Sequence, residues 1–142
     1  FVSDDNTDFD VFREYIGDFK HIAVYRDPRD VYATGILLSA KWIPSDAETF
    51  IKWYKYHTVP YLHTEHKDFM IIRFENLVLD YEETTKKIME FLEFDAVNHI
   101  HKREYFNPDI SAKNIGIYKK IDNQESIKYI EEKLGKYCYY GK

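Results

Sequence analysis

Residues 21–30 read HIAVYRDPRD, and this stretch decides the fold class of the chain. The apolar run that opens it is typical of a buried parallel strand. Helix-start signals follow: Asp27 is a capping residue, Pro28 suits a first helical turn, and Asp30 favours the positive end of a helix. The stretch therefore predicts a strand that ends at Arg26 and a helix that begins immediately after it.

Hydrophobic periodicity predicts the remaining elements in the same way. It predicts a second buried strand at 69–74 and helices at 8–17, 28 to about 40, 46 to about 67 with a kink at Pro60, 81–94 and 123–137. Residues 95–122 have no clear period and predict irregular structure. Two apolar strands separated by helices indicate an α/β protein with a parallel sheet.

Length and composition favour one folded domain over residues 1–142, since a chain of this size can bury a substantial core. The net charge of −5 argues against broad nucleic-acid binding, so any anion site must be local. The single cysteine, Cys138, excludes a disulfide framework and a Cys-rich zinc site. No apolar run reaches the roughly 20 residues of a membrane span. A cytoplasmic protein is the simplest interpretation.

Arg26 is the candidate that these patterns single out. The carboxyl ends of parallel strands form the ligand crevice of open α/β sheets, and a helix N-terminus there offers N–H groups to an anion. Arg26 would add a bidentate fork for phosphate, and Thr34 would present a hydroxyl two turns along the helix. The alternative is an ordinary helix start in which Arg26 only pairs with a neighbouring carboxylate.

The segment from Arg26 to Thr34 resembles the 3′-phosphate-binding motif of sulfotransferases, which use 3′-phosphoadenosine 5′-phosphosulfate (PAPS) as donor. In that family an Arg at the strand end and a Ser eight residues later hold the 3′-phosphate. The resemblance places these roles on Arg26 and Thr34, with Thr replacing the commoner Ser. It also implies a three-layer parallel sheet flanked by helices, similar to P-loop kinases.

Two later segments extend the resemblance along the chain. Residues 72–77, IRFENL, are similar to the family's strand–[Tyr/Phe]-Glu-Asp-Leu segment, which makes Phe74 a candidate adenine contact or else a core aromatic. Residues 111–119, SAKNIGIYK, partly match a C-terminal phosphate-binding loop. There Lys113 would supply a charge from a shifted register, or be a solvated lysine.

The family's N-terminal phosphosulfate-binding loop has no counterpart in this sequence, which also begins at Phe1. We therefore expect the C-terminal part of a sulfotransferase domain, inactive alone. The catalytic base of the family precedes the phosphate-binding Arg by about twenty residues, which makes Asp4 and Asp5 weak candidates beside a plain surface role.

No metal is expected, because the histidines lack a complete ligand motif. His57, His63 and His66 fall on one predicted helix, but no H-E-x-x-H pattern or carboxylate companion completes a site.

The expected function is transfer of a sulfuryl group from PAPS to a hydroxyl or amine of a small-molecule or carbohydrate acceptor. Two alternatives stay open at this point. One is a nucleotide or sugar kinase of related fold that uses Arg26 on a different phosphate. The other is a non-catalytic domain whose exposed aromatic side chains bind a protein partner. The sequence does not indicate the oligomeric state.

Overall fold

The computed structural model describes residues 14, 15, 17–95, 97 and 99–141. The α-helices and strands in chain order are β1 (His21–Tyr25), α1 (Pro28–Leu37), α2 (Ala47–His57), β2 (Phe69–Arg73), α3 (Phe74–Leu79), α4 (Tyr81–Leu92), α5 (Pro108–Ser111) and α6 (Gln124–Leu134). Short 3₁₀ segments lie at Pro60–His63, Ala112–Asn114, Ile117–Lys120 and Gly135–Tyr137. The expected helix at 8–17 falls almost entirely outside the described residues.

β1 and β2 pair in parallel, as the two apolar runs predict. The register aligns His21 with Phe69 and continues to Tyr25 opposite Arg73. The expectation that both strands are buried is only partly correct, because Val24 is exposed while Ile72 is buried. Among the described residues the sheet has two strands.

Helices α1, α2 and α6 pack together and form the main core. Phe50 of α2 lies against Tyr32 of α1, with ring centroids 5.2 Å apart, and Tyr54 of α2 belongs to the same cluster. Ile130 and Leu134 of α6 are fully buried in the same cluster. The apolar periodicity of these helices therefore indicates their buried faces correctly.

The predicted ends of the first two long helices need correction. The first helix ends at Leu37 rather than near Ala40, with Leu38 as its C-cap. The second ends at His57, and Pro60 opens a separate 3₁₀ turn instead of kinking a helix that runs to Lys67. Proline has no N–H for the helical ladder and its ring crowds the carbonyl four residues back, which here ends the helix.

The second strand and the segments after it also differ in detail from the sequence prediction. The strand ends at Arg73 rather than at 74, and Phe74 begins the additional helix α3. The region 95–122 is largely irregular, as expected, but contains the short α5 and two 3₁₀ segments. The last helix, predicted at 123–137, comprises α6 capped by Asn123 and then a 3₁₀ turn. None of the helices in the described part is both long and apolar enough to cross a membrane.

Candidate anion-binding site

The junction between β1 and α1 has the geometry that its sequence predicts. The strand ends at Tyr25, one residue before the predicted end at Arg26, which stands between the strand and the N-cap residue Asp27. The Asp27 carboxylate accepts the backbone N–H of Arg29 at 2.8 Å, and Pro28 occupies the first helical position. Because the cap and the proline act locally, the helix begins directly behind the strand.

Arg26 and Thr34 are in direct contact. Nη1 of Arg26 donates to Oγ1 of Thr34 at 3.1 Å, and Nη2 donates to the backbone carbonyl of Asn114. The guanidinium carbon lies 5.1 Å from the ring centroid of Phe74. The Arg26 side chain is 18% exposed, and its buried Nε has no hydrogen-bond partner within the described part of the chain.

Of the predicted donor-site residues, Arg26, Thr34 and Phe74 lie together, whereas Lys113 is placed near them only through its neighbour Asn114. Arg26 touches both Thr34 and Phe74, and Lys113 is the exposed residue directly before Asn114. Phe74 faces the guanidinium of Arg26, an arrangement in which the ring partly covers the cation. Asn114 was not among the sequence candidates, because a backbone carbonyl leaves no signal in a sequence.

Asp30 has a role that the sequence did not indicate. Its two carboxylate oxygens accept the N–H groups of Gly116 and Tyr118, at 2.8 and 3.1 Å, and Oδ2 lies 3.7 Å from Nη2 of Arg26. Burial raises the pKa of Asp30, while these hydrogen bonds and Arg26 oppose that shift. The carboxylate thus holds the loop around Gly116, whose φ is +74°, against α1 and beside the guanidinium.

The tip of α1 is covered, which corrects the expectation that its N–H groups are open to an anion. Besides capping the helix, the buried Asp27 carboxylate accepts the N–H of Tyr139 at 2.8 Å. It also pairs with the guanidinium of Arg29 at 2.6 Å, and Arg29 lies 3.1 Å from Glu131 of α6. The helix tip itself is therefore not the anion site, and Arg26 and Thr34 remain the candidates at this junction.

Arg29 is a structural cation. Its guanidinium donates to the carbonyl of Tyr139 at 2.9 Å and lies 4.3 Å from the ring centroid of Tyr118. Burial opposes the charge of this side chain, but the hydrogen bond to Asp27 and the charge of Asp27 outweigh it and raise the pKa of Arg29. Because its guanidinium nitrogens already contact Asp27, the Tyr139 carbonyl and Glu131, Arg29 is a poor candidate for binding a ligand.

The other sequence candidates do not join this site. Asp4 and Asp5 lie outside the described residues. The three histidines predicted on one helix lie on different segments: His57 ends α2, His63 ends a 3₁₀ turn, and His66 lies in the following loop. Within the described ranges no group of three or more His, Cys, Asp and Glu side chains is arranged to hold a metal ion.

The fold and the site define a parallel α/β protein with a basic side chain at a strand end. A family model for the sulfotransferase domain matches residues 16–136, which is most of the chain. The chain therefore belongs to the sulfotransferase domain family, and the resemblance found in its sequence is confirmed. No curated protein and no solved structure matches the chain. Membership supports the P-loop-like α/β fold, of which β1 and β2 form a small part, and sulfotransfer as the general class of activity.

Proposed function

We propose that this chain forms the 3′-phosphate and adenosine end of a PAPS-binding site in a sulfotransferase. Arg26 and Thr34 hold the 3′-phosphate, Phe74 lies near the adenine, and Lys113 adds a positive charge at the rim. The observation that supports this assignment is the 3.1 Å contact between Nη1 of Arg26 and the Thr34 hydroxyl at the carboxyl end of β1.

The residues present suit a phosphate group. The Nε–H of Arg26 is a buried donor that no group in the described ranges accepts, and a buried unpaired donor is costly unless a ligand completes it. Nη2 donates to the neutral carbonyl of Asn114. Hydrogen bonds from a guanidinium to a charged oxygen are roughly twice as strong as bonds between neutral groups. A phosphate can therefore displace the Asn114 carbonyl from Nη2, but it must also compete with the Asp30 carboxylate, whose Oδ2 lies 3.7 Å from the same nitrogen, as the alternative of a neighbouring carboxylate partner expects.

The donor supplies the sulfuryl group when it is bound. The residues of this chain bind and orient it, and orientation is a large part of catalysis in group transfer of this kind. In this proposal the acceptor is a hydroxyl or amine of a small molecule or carbohydrate. In this proposal the described residues are assigned neither the binding of the phosphosulfate nor the catalytic base.

The test is a comparison of two nucleotides that differ only in the 3′-phosphate. Adenosine 3′,5′-bisphosphate and adenosine 5′-monophosphate are titrated into the purified chain, with dissociation constants measured by calorimetry and stabilisation by thermal shift. Bisphosphate at 100 times its Kd should stabilise the fold by about 2.7 kcal/mol. Arg26→Ala should weaken bisphosphate binding about 10- to 100-fold, the effect of losing a hydrogen bond to a charged group.

Two further variants and a control sharpen this test. Thr34→Ser keeps the hydroxyl and should bind normally, whereas Thr34→Val should bind more weakly. Lys87→Ala removes one positive charge from the exposed face of α4, where Lys87 pairs with Glu83, and should leave binding unchanged. Equal affinity for the two nucleotides would overturn the 3′-phosphate site, and tighter binding of ATP with magnesium would indicate a kinase instead.

A further inference from the structure

One peptide bond of the strand–helix junction is held from both sides by buried side chains. The carbonyl oxygen of Arg26 accepts the hydroxyl of Tyr54 at 2.9 Å. The N–H of Asp27, on the opposite side of the same peptide group, donates to Oε1 of Glu75 at 2.9 Å. Tyr54 lies on α2 and Glu75 on α3, so two separate helices converge on this peptide from across the fold.

Tyr54 and Glu75 carry polar groups whose burial costs free energy, so their presence at these positions requires an explanation. Tyr54 is 1% exposed and Glu75 is 0% exposed. Oε2 of Glu75 is buried and has no hydrogen-bond partner in the part of the chain that the structure describes. Burial raises the pKa of Glu75, and the backbone hydrogen bonds from Asp27 and from Glu75 itself, together with the charge of Arg73, only partly oppose that shift. An apolar residue would fill this position more cheaply, so the acceptor oxygen of Glu75 is the feature that distinguishes it.

The two hydrogen bonds fix the orientation of Arg26. A peptide group is planar, so holding its C=O and its N–H sets the plane in which the Arg26 backbone lies. The direction in which the Arg26 side chain leaves the strand follows from that plane. Within the described ranges the guanidinium contacts Thr34, Asn114, Asp30 and the ring of Phe74, and neither Tyr54 nor Glu75.

We propose that Tyr54 and Glu75 are positioning residues of the anion site, which determine how strongly Arg26 selects a 3′-phosphate without touching it. The inference rests on the proposed function, because it concerns the same site. It extends that function because the selectivity of Arg26 for a 3′-phosphate then depends on Tyr54 and Glu75, neither of which contacts the ligand.

Tyr54→Phe tests the first residue, and Tyr32→Phe is its matched control. Both tyrosines are 1% exposed, and both hydroxyls donate to a backbone carbonyl, that of Arg26 at 2.9 Å and that of Ser45 at 2.7 Å. Tyr32 also lies on α1, the helix that carries Thr34, so it reports any general weakening of that helix. Selectivity is measured as the Kd for adenosine 5′-monophosphate divided by the Kd for adenosine 3′,5′-bisphosphate.

Both tyrosine variants should lose similar stability in urea, but only Tyr54→Phe should lose selectivity. We expect its ratio to fall about fivefold, the effect of one neutral hydrogen bond, and the ratio of Tyr32→Phe to stay within about twofold of wild type. An equal Kd ratio in the two variants would overturn the positioning role of Tyr54, because loss of either hydroxyl would then change selectivity only through general stability.

Glu75 is tested with a conservative and a disruptive variant. Glu75→Gln keeps an acceptor oxygen for the Asp27 N–H and should keep the selectivity, whereas Glu75→Leu removes the acceptor and should lower it. Normal selectivity in a folded Glu75→Leu would overturn the role of Glu75. If Glu75→Leu does not fold, a loss of selectivity in Glu75→Gln overturns it. A wild-type chain that does not distinguish the two nucleotides overturns the proposed function and the positioning role together.

Discussion

The two capping aspartates of the long helices differ in burial, and this difference makes a quantitative prediction. Asp27 caps α1 and Asp46 caps α2, and each carboxylate accepts a backbone N–H of the first turn at 2.8 Å. Asp46 is exposed, whereas Asp27 is 1% exposed and also holds the Arg29 guanidinium and the Tyr139 N–H. Replacing each by alanine therefore removes the same cap from two different environments.

The expected magnitudes follow from these contacts. Loss of an N-cap costs about 1 kcal/mol, which is the whole effect expected for Asp46→Ala. Asp27→Ala also breaks a buried ion pair and leaves Arg29 with Glu131 as its remaining carboxylate partner, a change worth about 3–5 kcal/mol. The two variants should therefore differ by about 3–5 kcal/mol, a large share of the 5–15 kcal/mol typical of a domain.

The assay is urea unfolding followed by circular dichroism, with the midpoint and slope fitted separately for each variant. Asp27→Asn is the third member of the series, because it keeps the cap oxygen and the side-chain volume but removes the charge, so its stability should lie between those of wild type and Asp27→Ala. If Asp27→Ala and Asp46→Ala agree within about 1 kcal/mol, the buried network contributes nothing beyond the cap and the reasoning is refuted.

Two further predictions concern packing and pH. A methyl group on Gly35 would lie 2.6 Å from Cγ2 of the buried Ile43. Overpacking costs about 1–3 kcal/mol and should exceed the helix-propensity gain of about 1 kcal/mol, so Gly35→Ala should lower the urea midpoint. Additive effects of Gly35→Ala and Ile43→Ala on the free energy of unfolding would contradict the clash. Burial raises the pKa of Glu75, so the folded state binds more protons than the unfolded chain above the ordinary glutamate pKa, and the free energy of unfolding should fall as pH rises through that range. Glu75→Gln lacks this titration, so urea unfolding between pH 4 and 8 should show its stability improving relative to wild type as pH rises, and a constant difference would count against a raised pKa.

Local signals predicted the strand–helix junction well. The apolar run of β1, the cap at Asp27 and the proline after it act over a few residues, and the structure has all three where the sequence places them. The parallel pairing of β1 and β2 was also predicted, since two apolar strands separated by helices favour it. The end of α2 was harder to predict, because the helical periodicity of the sequence continues past His57 although Pro60 ends the helix.

The surroundings of Arg26 were only half predictable. Its contact with Thr34 follows from an eight-residue spacing across the strand–helix junction, which the sequence displays directly. Its contact with the Asn114 carbonyl joins residues 88 positions apart, and a backbone oxygen carries no residue-specific signal. The motif containing Glu75 was recognised for its aromatic neighbour Phe74, so the hydrogen bond from Asp27 to Glu75 was missed.

By itself, the sequence determined the family of this protein and the strand end at which its basic side chain stands, because both depend on residues close together in the chain. Only the tertiary structure decided which charges are available to a ligand. Asp27 and Arg29 resemble ordinary helix-start residues, yet a segment 112 positions beyond Asp27 buries them. Burial makes a charge depend on its partners, and those partners come from packing between distant segments. Packing therefore pairs Arg29 with Asp27 inside the fold, whereas Nε of Arg26 has no hydrogen-bond partner among the described residues.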